Sequence, residues 1–301
     1  MALLVAADFD DDDWTAWWPL LQAALPNEHL LRDRADVAPH EIEIALVANP
    51  MPGSLRGLPN LRLIQSLWAG VDRLLDDTSV PVEVPLARMV DPAMNATMAQ
   101  TVLWAVTSLQ RGFFAYAAQQ RAGVWKQHAL RRADADAVTV AVLGMGQMGQ
   151  AAAQLLTQHG HRVLGWRRSE GPLALVLAQA DVVVNLLPLT AETRGLLNAA
   201  AFAQMPRGAS LVNLARGAHV VEADLLAALA TGQLNRAVLD VFATEPLPSG
   251  HPFWSHPAIT VLPHVAAPTD PRSAAAVAAN NVLALREGRP LQNLVDRSRG
   301  Y

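Results

Sequence analysis

The chain has 301 residues, 51% of them hydrophobic and 17% charged, a composition typical of a compact globular protein with room for two domains. A net charge of −4 and a pI near 6.1 argue against a nucleic-acid-binding surface, and the absence of cysteine excludes disulfides, thiolate metal ligands and cysteine nucleophiles. The N-terminus has no basic leader and no uninterrupted apolar run reaches 18 residues, so we expect a cytoplasmic protein without a membrane span.

The first 95 residues alternate short apolar runs with polar or helical stretches, a rhythm typical of a parallel-sheet α/β domain. The candidate strands are the apolar runs at 3–7, 44–48, 61–66 and 82–86. A helix is predicted near 12–25, where four consecutive acids at 10–13 suit the positive N-terminal end of the helix dipole. A long helical pattern then extends from about 93 to 120.

A glycine motif joins an apolar run to an Ala- and Leu-rich stretch. The β-branched run at 138–143 ends in Gly144-x-Gly146-x-x-Gly149, and the helical pattern at 147–158 follows. In a strand that turns tightly into a helix, Gly144 allows the turn, Gly146 lets the backbone approach a pyrophosphate, and Gly149 permits close packing. The helix N-terminus then offers N–H groups to the phosphates. The context favours a dinucleotide site over an ordinary βα turn.

The end of the next predicted strand, 161–166, bears on the choice of cofactor. The last residue of this strand is Trp166, and Arg167, Arg168 and Ser169 follow it. An NAD site usually has an acid here, which binds the ribose 2′-hydroxyl. Guanidinium groups instead bind a 2′-phosphate through charge-assisted hydrogen bonds. A pair of solvated surface arginines is the alternative, but it does not explain the missing acid, so the pattern favours NADP(H).

From residue 138 onward strands and helices alternate, with six predicted strands, the number in a doubly wound dinucleotide-binding sheet. The predicted strands are 138–143, 161–166, 180–186, 209–213, 237–240 and 258–261, and the predicted helices are 147–158, 173–179, 199–204 and 222–231. An amphipathic stretch at 271–287 is typical of a terminal helix that packs back on the first domain. We therefore predict a flavodoxin-like substrate domain at 1–95, joined by 270–301, and a Rossmann domain at 96–269.

Three polar residues follow strands of the second domain, at the sheet edge where ligands bind in such folds. Arg216 lies in the run NLARG, Glu245 in VFATEP and His264 in LPHVAAP. Each alone has an ordinary explanation: a surface arginine, a loop glutamate before proline, and a histidine that anchors a turn. Together they form a candidate catalytic set.

In this order the motifs closely resemble the D-2-hydroxyacid dehydrogenase family, over nearly the whole chain. The resemblance implies that Arg216 binds the substrate's carboxylate and carbonyl oxygen and that His264 donates a proton to that oxygen. It implies that Glu245 hydrogen-bonds the histidine and favours its protonated form. The run SLWAGVD at 66–72 looks like the loop whose backbone N–H groups hold the substrate carboxylate. The implied substrate-binding residues are Trp68, Ala69, Gly70 and Arg216.

The same resemblance implies a set of cofactor-binding residues. No metal is expected, because the reaction needs none and the sequence has no clustered Asp, His or Cys set to bind one. The run NLLPLTAET at 185–193 looks like the loop that passes the cofactor, and Asp240 matches the position near the nicotinamide amide. Arg167 falls where the family usually has its ribose-binding acid, which reinforces the inference of NADP. The implied cofactor-binding residues are Gly144, Met145, Gly146, Gln147, Met148, Trp166, Arg167, Arg168, Ser169, Leu187, Pro188, Thr193, Leu214, Ala215, Asp240, His264 and Ala266.

Within the family, the runs at 45–50, 66–72 and 166–169 look most like the NADPH-linked glyoxylate/hydroxypyruvate reductase A branch. That branch implies reduction of a small 2-oxo acid to the 2-hydroxy acid. Two residues depart from it: Trp68 stands where many members carry a smaller residue, and Ala48 where the branch often has tryptophan. Either an aromatic ring has moved to another wall of the substrate pocket, or Trp68 fills core.

Other classes of function are alternatives to the reductase. A dinucleotide-sensing interaction protein could share this scaffold, although the intact catalytic set favours an enzyme. A dehydrogenase for another 2-hydroxy acid also fits. Formate or phosphite dehydrogenases would prefer NAD, which the arginine pair disfavours. A short-chain-type reductase needs Tyr-x-x-x-Lys, and neither Tyr116 nor Tyr301 has a lysine four positions on.

A homodimer is the expected assembly, because the resemblance implies dimers formed through the cofactor domain. An apolar contact for such a dimer, or alternatively core packing, could come from Phe113, Phe114, Tyr116 and Trp125.

Overall fold

The computed structural model describes residues 1–127 and 138–301. These residues form two compact units, one comprising Met1–Met94 and Thr269–Tyr301 and the other Asn95–Pro268. Within the described ranges, no helix is both long and apolar enough to span a membrane.

Alternating strands and helices make up both units. The strands are β1 (Ala2–Ala7), β2 (His29–Leu31), β3 (Ile42–Ala48), β4 (Leu63–Ser66), β5 (Leu86–Ala87), β6 (Thr139–Leu143), β7 (Arg162–Trp166), β8 (Val182–Asn185), β9 (Ala209–Asn213), β10 (Leu234–Leu239) and β11 (Ile259–Val261). The helices are α1 (Asp11–Ala24), α2 (Asp72–Asp76), α3 (Pro92–Arg111), α4 (Phe113–Arg121), α5 (Gln147–Gln158), α6 (Leu173–Leu177), α7 (Ala199–Gln204), α8 (Glu222–Ala230) and α9 (Pro271–Arg286).

The first unit is built on an all-parallel sheet with the strand order β2-β1-β3-β4-β5. This is the 2-1-3-4-5 order of the flavodoxin-like fold. Every residue of β3 is buried, as expected for a central strand covered on both faces. Helix α9 packs against α1 and β4, and the Asn281 amide donates a hydrogen bond to Gln65 Oε1 at 2.7 Å.

Helix α1 begins within one residue of its predicted start because the local acids stabilise that end. Asp10 precedes the helix and its carboxylate accepts a hydrogen bond from Asp13 N at 2.8 Å. Trp17 and Leu21, four residues apart, lie on the buried face.

The second unit contains an all-parallel sheet of six strands in the order β11-β10-β9-β8-β6-β7. Each strand lies within three residues of its predicted bounds. Strands β7 and β8 flank β6 on opposite sides, so the switch in connection direction lies between β6 and β8, where ligands bind in open α/β sheets. The predicted fold class, an α/β protein with two doubly wound parallel sheets, is confirmed.

The predicted strand at 82–86 is wrong, since β5 comprises Leu86–Ala87 alone. Val82 is 77% exposed, and Arg297 Nη2 donates to the carbonyls of Pro81 and Val84 at 3.0 Å each. The C-terminal segment thus binds backbone groups that a longer strand would have offered to a neighbouring strand.

One helix prediction needs correction, and one strand was not predicted. The long helix predicted at 93–120 is two helices, α3 and α4, because Gly112 between them has φ +71°, a left-handed conformation that an α-helix cannot continue through. Strand β2 has only three residues, too few to show an alternating pattern, and pairing with β1 defines it.

Candidate functional site

The glycine motif forms a tight turn between β6 and α5. Gly144 has φ +98°, and a Cβ atom there would lie 2.6 Å from Leu186 O. A Cβ on Gly149 would lie 2.0 Å from Gly144 O, so the helix and the turn touch at that point. A Cβ on Gly146, in contrast, would meet no atom within 4 Å. The turn is thus closed towards the sheet and open on the side of the α5 N-terminus, as an anion-binding turn requires.

The two arginines after β7 lie on the surface beside this turn. Arg167 Nη2 donates to Met145 O at 2.5 Å, and its Nε lies 3.8 Å from Glu170 Oε1. Arg168 Nη1 lies 3.2 Å from Glu192 Oε2. Hydrogen bonding by Thr190 lowers the pKa of the Glu192 carboxyl, and Arg168 lowers it further. Two exposed cations therefore lie next to the glycine turn, and one of them, Arg167, is hydrogen-bonded to its backbone.

Other residues predicted to bind a cofactor have internal partners. Trp166 is 6% exposed, and its indole N–H donates to Gly171 O at 3.0 Å, so this ring belongs to the core. The Thr193 hydroxyl donates to Pro188 O at 2.8 Å. Several further members are buried: Leu187, Leu214, Ala215 and Ala266. Those with exposed surface at the turn are Gly146, Gln147, Arg167, Arg168 and Ser169.

His264 and Glu245 form a hydrogen-bonded pair past the ends of β10 and β11. His264 Nδ1 lies 2.7 Å from Glu245 Oε2, and Glu245 Oε1 accepts the Phe242 N–H at 2.8 Å. The imidazole is 53% exposed and within the described residues its Nε2 makes no hydrogen bond. The carboxylate thus orients the ring from one side and leaves Nε2 towards solvent.

Asp240 holds the loop that carries this histidine. Its carboxylate is buried and accepts the N–H groups of Val265 at 2.7 Å and Ala266 at 3.0 Å, while its carbonyl accepts His264 N–H at 2.9 Å. Burial raises the pKa of Asp240, although the two N–H groups oppose that effect. His264 has φ +56°, a costly conformation outside glycine, and these bonds maintain it.

The contact between His264 and Glu245 shifts the pKa values of the two side chains in opposite directions. The hydrogen bond to Glu245 raises the pKa of the imidazole above its ordinary value, against an opposing effect of burial. Burial acts to raise the pKa of Glu245, but hydrogen bonds from His264 and Phe242 outweigh it, so the pKa is lowered overall. The pair therefore favours an imidazolium next to a carboxylate.

Arg216 follows β9, the neighbour of β10, and lies near the pair. Its Nη1 donates to Ala215 O at 2.7 Å. The guanidinium is close enough for its positive charge to lower the pKa values of both Glu245 and His264. The structure thus brings together the three residues of the predicted catalytic set.

The predicted carboxylate-binding loop lies in the first unit, after β4. Ser66 Oγ accepts the Trp68 N–H at 3.0 Å and donates to Trp68 O at 2.9 Å, which makes the turn rigid. The Trp68 ring packs edge-on against Trp17, with centroids 5.7 Å apart. Among the described residues, the N–H groups of Ala69 and Gly70 donate no hydrogen bond.

Three buried polar residues of the second unit were not predicted from the sequence. Asn185, Asn213 and His219 are fully buried and hydrogen-bonded to one another. The available signal was that two of the apolar strands, β8 and β9, both end in asparagine.

Comparison with known proteins agrees with this geometry. Residues 103–266 match the family described as D-isomer specific 2-hydroxyacid dehydrogenase, NAD binding domain. The glyoxylate/hydroxypyruvate reductase A of Yersinia enterocolitica is 37% identical, over 95% of this chain and 96% of its own. That of Serratia proteamaculans is 40% identical, over 86% and 88%.

Two solved structures superpose over the full chain. A D-isomer specific 2-hydroxyacid dehydrogenase from Xanthobacter autotrophicus, in complex with NADPH and MES, has a TM-score of 0.92 and 39% identity, and covers 100% of this chain and 99% of its own. The NADPH-dependent glyoxylate/hydroxypyruvate reductase of Sinorhizobium meliloti, in complex with NADP and sulfate, has a TM-score of 0.92 and 33% identity at the same coverage. The predicted family is confirmed, and the chain belongs to the D-isomer specific 2-hydroxyacid dehydrogenases.

Proposed function

We propose that the protein reduces a small 2-oxo acid of the glyoxylate or hydroxypyruvate type to the 2-hydroxy acid, with NADPH as the reductant. The observation that carries this proposal is the His264–Glu245 pair together with Arg216, on adjacent strands of the sheet that bears the glycine turn. Reduction of an anionic 2-oxo acid calls for a cation and a proton donor of this kind. The names of the relatives support the substrate class.

Each residue of the set has a defined role in this reaction. NADPH, when bound, supplies the hydride that reduces the carbonyl carbon. Arg216 and protonated His264 stabilise the negative charge that develops on the carbonyl oxygen. His264 transfers the proton from Nε2, the nitrogen opposite Glu245, and so completes the alcohol. In the oxidative direction the same histidine, in its neutral form, acts as the base.

The cofactor is proposed to bind the second unit, which serves as the Rossmann domain. The open surface at Gly146 suits a pyrophosphate, and the exposed Arg167 and Arg168 suit a 2′-phosphate. The loop at 185–193, which contains Leu187 and Pro188, lies along the bound cofactor in this assignment. The first unit serves as the substrate domain, and the N–H groups of Ala69 and Gly70 bind the substrate carboxylate.

A panel of 2-oxo acids tests the proposed function directly. Glyoxylate, hydroxypyruvate, pyruvate and phenylpyruvate are assayed with NADPH and with NADH, and kcat/KM is compared. We expect glyoxylate or hydroxypyruvate with NADPH to give the highest value. No turnover of any 2-oxo acid, with NADPH binding intact, would favour the dinucleotide-sensing protein instead.

The rate of reduction should depend on pH through His264. Because its pKa is raised and its protonated form donates the proton, kcat/KM should be constant below that pKa and fall as the pH rises through it. Glu245→Gln removes the charge that raises the pKa, so the descending limb should move to lower pH. A pH profile of both proteins decides this, and a limb that stays in place would show that another group controls it.

Coenzyme preference should depend on Arg167. Arg167→Asp is expected to shift the kcat/KM ratio from NADPH towards NADH by about 10- to 100-fold, because a charged hydrogen-bonded contact is worth roughly 1.5–3 kcal/mol. Arg162→Asp, at the exposed opposite end of β7, is the matched control and should leave the ratio unchanged. A wild-type preference for NADH would contradict the cofactor assignment.

Trp68 is proposed to limit substrate size. Trp68→Ala should raise kcat/KM for phenylpyruvate relative to glyoxylate by about tenfold, since a pocket that gains volume stops rejecting a larger group. Trp18→Ala is the control, because Trp18 packs on Trp14 in the same aromatic cluster without lying on the substrate loop. If both variants keep the wild-type ranking, Trp68 is a packing residue.

A homodimer through the second unit is also proposed. Trp125 is 98% exposed and Phe113 48% exposed, so neither belongs to the core of the chain, whereas Phe114 packs edge-on against Trp104. Burial of exposed aromatic rings is a strong contribution to protein interfaces. Light scattering during size-exclusion chromatography measures the molar mass in solution, and the mass of a monomer would contradict the proposed dimer.

A further inference from the structure

Three buried polar side chains of the second unit form a cluster that the mechanism above does not use. Asn185 and Asn213 end the adjacent strands β8 and β9 and lie opposite each other in the sheet. Asn185 Nδ2 is 2.9 Å from Asn213 Oδ1 and 3.0 Å from Nδ1 of His219, which follows β9. All three residues are 0% exposed. Buried polar groups destabilise a fold unless they are hydrogen-bonded, and the three side chains of this cluster meet that requirement by bonding within the cluster and to backbone groups at its edges.

Backbone groups at its edges determine the direction of the asparagine hydrogen bonds. Asn185 Oδ1 accepts the Leu187 N–H at 3.2 Å, so Asn185 Nδ2 is a donor with two hydrogens. Asn213 Nδ2 donates to the Arg216 carbonyl at 3.0 Å, so Asn213 Oδ1 is an acceptor. One amide hydrogen of Asn185 therefore goes to Asn213, and the other is directed at His219.

The hydrogen-bond partners of His219 define which of its ring nitrogens carries a proton. Its Nε2 lies 3.2 Å from Pro188 O, and a carbonyl can only accept, so Nε2 carries the proton. Its Nδ1 accepts from Asn185 and carries none. The imidazole is thus neutral and presents a donor on one side and an acceptor on the other, a pattern that no other side chain reproduces with the same rigid geometry.

The cluster connects two parts of the proposed site. At one end are Leu187 and Pro188, in the loop assigned to the cofactor. At the other end is the backbone of Arg216, assigned to the substrate. His219 also holds the intervening chain, because its carbonyl accepts the Leu197 N–H at 2.9 Å. The positions of the loop and of the arginine therefore depend on one shared set of hydrogen bonds.

We infer that His219 is a positioning residue that holds the Pro188 loop in place for the cofactor and, through Asn185 and Asn213, the backbone of Arg216 in place for the 2-oxo acid. The inference rests on the proposed function, which assigns the loop to NADPH and the arginine to the substrate. Neither role requires His219 to touch either ligand.

Two substitutions of His219 each keep one of its two hydrogen bonds and remove the other. The amide of His219→Asn lies at the level of Nδ1, so its oxygen can still accept from Asn185 while the bond to Pro188 is lost. The longer His219→Gln reaches the level of Nε2 and can still donate to Pro188, but it removes the acceptor for Asn185. His219→Leu removes both hydrogen bonds and keeps a side chain of similar bulk.

The readouts are the Kd for NADPH, measured by quenching of tryptophan fluorescence, and the KM for glyoxylate at saturating NADPH. His219→Asn should raise the Kd about three- to tenfold and leave the KM near the wild-type value, because one hydrogen bond to the loop is lost. The remaining bond from Thr193 to Pro188 limits that effect. His219→Gln should raise the KM by a similar factor and leave the Kd little changed, and His219→Leu should raise both.

A second buried histidine separates positioning from loss of stability. His161 is 5% exposed and lies between α5 and β7, so His161→Asn and His161→Gln are matched controls for the effect of the same changes in a core. They should lower Tm as the His219 variants do, without raising Kd or KM selectively. Equal effects on Kd and KM in both His219→Asn and His219→Gln, or effects on Tm alone, would overturn the inference.

Wild-type behaviour distinguishes a failure of this inference from a failure of the proposed function. If the wild-type protein binds NADPH but reduces none of the 2-oxo acids, the proposed function fails, while the Kd values of His219→Asn and His219→Gln still decide the role of the Pro188 bond. If the wild-type protein turns over glyoxylate but His219→Asn and His219→Gln do not differ in which of Kd and KM they raise, the proposed function stands and the inference fails.

Discussion

Replacing His264 with alanine is expected to lower kcat for 2-oxo acid reduction by about 10²- to 10⁴-fold, the usual contribution of a general acid. The ring lies next to Glu245 with Nε2 exposed, and alanine leaves no group there to donate the proton. The Kd for NADPH should change little, because the backbone bonds from Asp240 to residues 264–266 do not involve the imidazole. Stopped-flow or steady-state turnover, with fluorescence titration of NADPH, measures both quantities.

A matched control is His159→Ala. His159 is exposed and follows the C-terminus of α5, at the opposite end of that helix from the glycine turn, so its replacement should leave kcat unchanged. A His264→Ala variant whose kcat stays within about threefold of the wild-type value would remove this residue from the catalytic set, because general acids contribute far more.

Replacing Arg216 with lysine should raise the KM for the 2-oxo acid by about 10- to 100-fold, the range expected when hydrogen bonds to a charged group are lost. Lysine keeps the positive charge but loses the planar pair of N–H groups that binds a carboxylate in two-point fashion. Because the same cation stabilises the carbonyl oxygen during reduction, kcat should fall as well. Initial rates with glyoxylate at saturating NADPH measure both parameters.

Arg207→Lys provides the comparison for Arg216→Lys. Arg207 belongs to the same unit and precedes β9, at the opposite end of that strand from Arg216. Its Nη2 donates to Thr231 O at 2.7 Å, so its replacement should leave KM unchanged. A rise confined to the KM for NADPH in Arg216→Lys would place the arginine in the cofactor site and contradict the assignment.

Local patterns in the sequence determined most of the second unit. Strands β6, β8 and β9 are mostly apolar runs in which every residue is buried, and the helices of the unit begin close to where the pattern changes. The glycine motif has a local cause at Gly149, where a Cβ would lie 2.0 Å from Gly144 O, whereas at Gly144 the close atom is Leu186 O, which follows β8. The positions of Arg216, Glu245 and His264 after strands of one sheet predicted that the three would lie near one another, since the carboxyl ends of adjacent parallel strands lie together. Their catalytic roles were implied by the family resemblance.

Long-range contacts decided the features that the sequence did not reveal. The segment at 82–86 has a strand-like composition, yet Arg297, more than 200 positions later, donates to the carbonyls of Pro81 and Val84, and the segment is irregular up to Leu86. Strand β2 exists because β1 pairs with it. His219 lies 34 residues from Asn185 in the chain, and only the packing of β8 beside β9 brings the two into contact. A hydrogen bond forms only when the donor–acceptor distance is correct to within a few tenths of an ångström. The number of residues between two groups in the chain does not determine that distance.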